Sequence, residues 1–227
     1  MKKWEEEVDD LRVKRRDHIL EAARTLFAEK DMALVTMVDI GARAGVSRVT
    51  LYKYFSSIHE IVFEIQIQIM NEISVYFEID GDGEMTGAEK LTLLLYGWYN
   101  LYRDKPEHLR FIAMFDHFYR NEFPSEDLRK RYRDSMANRG AQFKHAIEDG
   151  IRDGSILPTF DPALLETMIQ NTVIGMMSRM ATRGHLIHKQ WGIDPEDILT
   201  YLLQFIAQFI RVKPDTSVFR LTEVENR

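Results

Sequence analysis

TMVDIGARAGVSRVTLYKYF, residues 36–55, reads as two short helices joined by a tight turn. Thr36 can N-cap the first helix, with Asp39 three residues on as its reciprocal partner. Ile40 and Ala44, one turn apart, give that helix a face to bury. Gly45 ends it, because glycine enters the left-handed conformation that a sharp exit needs. Val46 fills the turn, and Ser47 is a good N-cap for the second helix. There Leu51 and Phe55, at i and i+4, form one apolar side. Arg48, Thr50, Tyr52, Lys53 and Tyr54 occupy the other. Helix, glycine turn and a second helix with a polar, basic and aromatic outer face make a helix-turn-helix, whose second helix enters the DNA major groove. Taken alone, the spacing admits an ordinary αα-corner equally well.

The flanking sequence favours DNA. Net charge is −6, yet residues 11–56 hold nine Lys/Arg against five Asp/Glu, so this segment is +4 while the rest is acidic. Such asymmetry suits a chain of which one end meets phosphate. Upstream, Ile19, Ala22, Ala23, Leu26 and Phe27 form the apolar stripe of a helix expected over Leu11–Lys30. Lys14, Arg15 and Arg16 near its start are either a solvated face or phosphate contacts. Residues 1–10 read as a solvated, fraying tail. They have no apolar run behind them and so no signal-peptide pattern.

Downstream, Ser57 and Glu60 cap a long Ile- and Phe-rich helix at about 58–79, which must be buried on much of its surface. The glycines of GDGEMTG at 81–87 mark a loop. Further helices are expected at about 87–103, 106–120 and 125–153. Asp161-Pro162 and Asp194-Pro195 start the last two, to about Arg183 and Val212, and residues 213–227 read as a tail. No strand period appears. The fold class is therefore all-α with about nine helices. Domains are expected at 11–57 (the helix-turn-helix) and 58–227 (ligand binding and dimerisation).

The chain has no cysteine, which excludes disulfides, thiolate metal sites and a cysteine nucleophile, and fits a cytoplasmic location. There is no phosphate-cradling glycine loop, no G-x-S-x-G and no HExxH, so no enzymatic activity and no cofactor are expected. His185 and His188 have metal-like spacing near a helix end beside a loop but lack an obvious third ligand.

In register, these residues resemble the TetR (tetracycline-repressor) family of transcriptional regulators. The first-helix pattern is Ile19, Ala22, Ala23, Leu26 and Phe27. The threonine cap is Thr36, the turn is Ile40, Gly41, Ala44, Gly45, Val46 and Ser47, and the recognition helix carries Leu51, Tyr52, Tyr54 and Phe55. GIRDGSILPTFDP at 150–162 is a weaker match. The resemblance places DNA contacts at Arg48, Val49, Thr50, Tyr52, Lys53 and Tyr54, within a DNA-binding set bracketed by Thr36 and Ser47. By their chemistry, Arg48 can address a guanine edge bidentately, Val49 a thymine methyl, and Thr50, Tyr52, Lys53 and Tyr54 phosphate.

Three departures from the family pattern stand out. Asp31 replaces a glycine, and a left-handed turn is expected to survive there because aspartate tolerates it. Gly41 replaces alanine. Ile58 replaces a lysine that commonly touches phosphate.

A twofold dimer would read half-sites about 34–36 Å apart. Leu165, Ile169, Val173, Leu202, Phe205, Ile206 and Phe209, on the last two helices, are the expected dimer interface, with Gly175 allowing close approach. The competing reading is that these stripes cover the chain's own core. An apolar effector pocket, as in the family, is expected from Trp98, Met114, Phe118, Phe143, Met168, Thr172 and Met176, though each also reads as ordinary core. The function expected is a ligand-responsive repressor that binds a palindromic operator as a homodimer and is released by a hydrophobic or aromatic small molecule, with the fourth helix as the lever. The alternative is a helical ligand-binding or protein-interaction module that has lost operator binding, which Ile58 and the acidic total leave open.

Overall fold

A computed structural model describes residues 2–79, 85–137, 140–158 and 161–211, with the backbone alone for residues 2–9. Among these residues are ten α-helices and two short 3-10 turns. In chain order they are α1 (Lys2–Glu29), a 3-10 turn (Met32–Leu34), α2 (Met37–Arg43), α3 (Arg48–Tyr54), α4 (Ile58–Ile73), a second 3-10 turn (Ser74–Phe77), α5 (Gly87–Asp104), α6 (Pro106–Phe118), α7 (Glu126–Met136), α8 (Ala141–Asp153), α9 (Pro162–Trp191) and α10 (Pro195–Phe209). No described helix is long and apolar enough to cross a membrane.

Several expected boundaries move. The backbone is helical from Lys2, so the expected tail belongs to α1. The single helix expected at 125–153 is two, α7 and α8. Gly140 is the N-cap of the second of these, beside the side-chain ends of Glu166 and Gln170. Helix α9 runs on to Trp191, so His185 and His188 lie in its last turns rather than beside a loop. Most of the GDGEMTG loop and the tail at 213–227 lie outside the described residues.

The chain forms two compact units. The first comprises Met1–Val75 and Asp104–Asn138, the second Tyr76–Arg103 and Arg139–Arg227. Compactness thus divides the chain elsewhere than the division expected at 57/58, because α4 and α6 pack against α1 and α7 packs against α4.

In the first unit the α1 stripe of Ile19, Ala23, Leu26 and Phe27 is buried with Ile40, Leu51 and Phe55. Phe63 is fully buried, its ring edge-on to Phe115, Tyr119, Phe123 and Tyr132. Behind the head, Glu64 accepts from Arg16 at 2.8 Å and from Arg131 at 2.9 Å, tying α1 and α7 to α4. The Arg16 guanidinium also lies 5.3 Å from the Phe55 ring centroid. Of the two readings offered for Arg16, the structure supports neither: this arginine is an internal tie.

His59 Nδ1 lies 2.8 Å from the Tyr119 hydroxyl. Burial lowers the His59 pKa and raises that of the Tyr119 phenol. A histidine pKa depressed on folding means that the unfolded chain binds more protons. Its contribution to stability is therefore present above the ordinary histidine value and lost as pH falls through the folded one. Thermal melts between pH 8 and pH 5 should show a steeper loss in wild type than in His59→Gln, and equal slopes would exclude His59 as the source.

The second unit is built on α5, α8, α9 and α10. A Cβ at Gly87 would collide with the backbone of Gly150, so glycine lets α5 meet α8 here. The Gly87 and Ala88 amides donate to Asp153 Oδ2 at 2.8 Å and Ser155 Oγ at 3.0 Å, satisfying the first turn of α5. Phe77, Trp98 and Phe143 form an aromatic group, with centroids 4.8 Å apart for Phe77–Trp98 and 5.7 Å for Phe77–Phe143.

Candidate nucleic-acid interface

The helix-turn-helix is held by short-range chemistry. The Thr36 hydroxyl accepts from the Asp39 amide at 3.2 Å, and Asp39 Oδ2 accepts from the Thr36 amide at 2.9 Å. Hydrogen bonds from the Thr36 hydroxyl and then its amide hold the Asp39 carboxyl below its ordinary pKa. Gly45 sits at φ +61°, and the Val46 amide donates to the Gly41 carbonyl at 3.0 Å across the turn. Ser47 Oγ accepts from the Thr50 amide at 3.1 Å and lies 2.9 Å from Thr50 Oγ1. Thr36 and Ser47 are therefore exposed caps, each hydroxyl already bonded within the motif.

Asp31 keeps its turn, though not by the expected route. No described non-glycine residue has a positive φ. Asp31 is extended at φ −55°, ψ 136°, and caps the 3-10 turn by accepting from the Ala33 amide at 2.9 Å. Gly41 has room for a methyl, since a Cβ there would sit 3.4 Å from the Val46 carbonyl oxygen and 3.6 Å from Leu51 Cδ2. Gly41→Ala should therefore stabilise by about 0.4–1 kcal/mol, read as a higher melting midpoint. A lower midpoint would mean that those contacts cannot give.

Helix α3 has two distinct sides. Leu51 within it and Phe55 at its end are each 1% exposed. Arg48, Val49, Tyr52 and Lys53 are exposed, and Thr50 and Tyr54 are half-buried. The Arg48 guanidinium lies 5.6 Å from the Tyr52 ring centroid, an arrangement that limits its freedom before any contact is made. Ile58 is half-buried at the first position of α4 and brings no charge there.

The cations sort into two groups. Arg16, Arg24 and Arg43 are each paired with a carboxylate on a neighbouring helix: Glu64, Glu72 and Glu29. Among the described residues, the other six cations of this segment, Arg12, Lys14, Arg15, Lys30, Arg48 and Lys53, form no ion pair. Paired guanidiniums are held by their own carboxylates, whereas free ones can replace the counterions of phosphate. Charge counted along the sequence does not make this distinction, because three of the nine basic residues of the segment are neutralised internally.

The residues expected to line one pocket belong to both units. Met114 and the exposed Phe118 belong to the first unit, where Met114 lines an open, charged groove. Trp98 and Phe143 are buried in the second unit. Met168 and Thr172 instead line a shallow apolar groove of about 180 Å³ with Leu202, Phe205 and Phe209, the surface expected to face a partner. Met176 is half-buried further along α9.

The expected dimer residues need a parallel correction. Leu165, Ile169, Val173 and Ile206 are buried within the single chain. The outward apolar face is Leu164, Met168, Tyr201 and Phe205, flanked by half-buried Leu202 and Phe209. Two adjacent apolar stripes run along α9, and the inner one had been read as the outer. A Cβ at Gly175 would meet nothing.

Sequence reasoning also missed Gln66, whose side-chain nitrogen and oxygen are buried without a partner, and likewise the buried Trp98 Nε1 and Ser178 Oγ. Gln66 and Gln68 alternate through the same apolar run, and only packing distinguishes the buried one. No three metal-binding side chains gather among the described residues.

A capped helix-turn-helix whose second helix buries one side and presents free cations on the other defines a DNA-binding regulator. Residues 19–65 match the family described as bacterial regulatory proteins, tetR family. The chain is 30% identical to YfiR of Bacillus subtilis, an uncharacterized HTH-type transcriptional regulator, over 72% of this chain and 78% of that one. It is 26% identical to the HTH-type transcriptional repressor KstR2 of Mycolicibacterium smegmatis, over 70% and 75% respectively. The crystal structure of the regulator FadR from Bacillus subtilis in complex with stearoyl-CoA shares the fold at TM-score 0.59 and 20% identity, covering 84% of this chain and 96% of that one. The chain belongs to the TetR family of transcriptional regulators.

Proposed function

We propose that this regulator is a homodimeric repressor that reads a palindromic operator through two copies of α3 and is released by an apolar effector. The observation that carries the reading is the separation of free from internally paired cations. Lys14, Arg15, Arg48 and Lys53 are unpaired on or before the reading helices, while Arg16, Arg24 and Arg43 are each paired with a carboxylate of a neighbouring helix. Arg48 would address a base edge, Val49 a thymine methyl, Lys53 and the α1 cations phosphate, and Thr50, Tyr52 and Tyr54 phosphate oxygens. The outward face of α9 and α10 would meet its twofold mate.

The effector reading rests on the aromatic group of the second unit and on the buried, unpartnered Trp98 Nε1 and Ser178 Oγ, which a bound molecule with hydrogen-bonding atoms would satisfy. The FadR structure holds an acyl-CoA, so stearoyl-CoA is the first probe. An effector that favours the DNA-incompetent state by about 1–3 kcal/mol would lower operator affinity about 5- to 150-fold. The test is a footprint of the purified protein on the promoter of its own gene. The expected result is protection of two half-sites related by a dyad, spaced about one helical turn or a multiple of it. A single unpaired half-site, or no protection, would refute the operator reading.

A further inference from the structure

The chain leaves the first compact unit after Val75 and re-enters it at Asp104. Beside these two crossings lies a charged cluster that the DNA reading does not use. Glu72 is the penultimate residue of α4, three positions before the exit, and His108 is in the first turn of α6, four positions after the return. Glu72 Oε2 lies 2.7 Å from His108 Nε2. Its other oxygen accepts from Arg24 of α1 at 2.9 Å, and Arg24 also donates to Gln68 at 3.0 Å. Glu107 lies 3.7 Å from the second imidazole nitrogen. One carboxylate thus joins both crossings to α1, the helix against which α2 of the reading head packs.

Bulk cohesion does not explain the cluster. Leu20, Phe27, Ile69 and Phe111 are all buried, and the Phe27 and Phe111 rings pack edge to face at 6.1 Å, so apolar side chains of α1, α4 and α6 already join this unit. A carboxylate in the last turn of a helix is opposed by the helix dipole and needs compensation. Burial raises the Glu72 pKa, but Arg24 and then His108 more than offset it and hold the carboxyl below its ordinary value. The start of α6 has no side-chain cap, since Lys105 makes no capping hydrogen bond. The turn is held instead through His108, which is 5% exposed. Buried ionic groups contribute little net stability against apolar replacements, but their hydrogen bonds have direction and can specify one arrangement.

We propose that Arg24, Glu72 and His108 form a clasp that fixes the orientation of the DNA-reading head relative to the two chain crossings. They act as positioning residues. This rests on the regulator reading given above and extends it to what holds the head in one orientation. None of the three touches DNA in this arrangement, so breaking the clasp lowers affinity without changing the number of phosphates neutralised.

The test uses the full chain, hydrogen exchange without DNA, and anisotropy titrations of the footprinted promoter duplex at several salt concentrations. Glu72→Ala should speed exchange at least tenfold in the first turn of α6 and in the last two turns of α1. It should lower affinity about 5-fold or more and leave the salt slope unchanged. Glu72→Ala combined with His108→Phe should be no worse than the worse single variant, because both break one unit. Glu72→Gln keeps the shape and shows the same pattern at smaller amplitude if the alanine variant melts below the assay temperature. Unchanged exchange and affinity in Glu72→Ala, additive losses in the double variant, or a shallower salt slope would overturn the clasp. If wild type binds no DNA, the regulator reading fails, and the exchange arm still decides whether the clasp exists.

Discussion

Replacing Arg48 and Tyr52 together by alanine is expected to abolish specific operator binding while leaving the fold intact. Both side chains are exposed, and neither contributes to the core. A bidentate arginine–guanine contact is worth about 1–3 kcal/mol of discrimination. Repeated on two half-sites, that alone corresponds to roughly a 30- to 20,000-fold loss. Tyr52→Ala removes the phosphate hydrogen bond proposed for each half-site and the ring that lies against the guanidinium. Arg48→Ala should relax the sequence preference, whereas Lys53→Ala should weaken all sequences evenly and reduce the salt slope by about 0.9 per subunit. Anisotropy titrations on promoter and scrambled duplexes check this, with a thermal melt as the folding control. Retention of wild-type preference by the double variant would remove α3 as the reading element.

Phe205→Glu should convert the proposed dimer to a monomer and cost most of its operator affinity. Phe205 is 66% exposed on α10, its ring 6.1 Å from Phe209, and lies beside exposed Tyr201, Met168 and Leu164. Aromatic anchors at interface centres are worth about 2 kcal/mol or more, and a carboxylate on each side of a twofold axis adds repulsion and desolvation. Light scattering should give twice the 26.7 kDa chain mass for wild type and the chain mass itself for the variant at micromolar concentration. A wild-type monomer would refute the twofold model. A Phe205→Glu dimer would move the interface off this face. Leu165 and Ile169 are unsuitable targets, because both are buried within one chain and their truncation would unfold it rather than dissociate it.

The reading head was legible in the sequence because everything that makes it is local. Thr36 with Asp39, Gly45 and Ser47 act over two to four residues, and the structure returns each in the expected role. The body was less legible for identifiable reasons. Helix α9 carries two apolar stripes one residue apart, and periodicity cannot say which of Leu164 and Leu165 faces inward. The start of α8 at Gly140 carries no capping side chain to announce it. Arg16 reads as a solvated or phosphate-contacting side chain because its partner Glu64 is 48 positions away. Asp31 was expected to tolerate a left-handed turn and instead removes the need for one by capping.

A small set of free cations on this head is expected to neutralise phosphate, which makes wild-type binding to its own promoter duplex depend on salt. Lys14, Arg15 and Lys53 on each of two subunits, at about 0.9 counterions per contact, predict that log K falls against log salt with a slope of about −5, roughly a thousandfold loss between 50 and 200 mM. Affinity that does not vary with salt, or no binding at the lowest concentration, would contradict it.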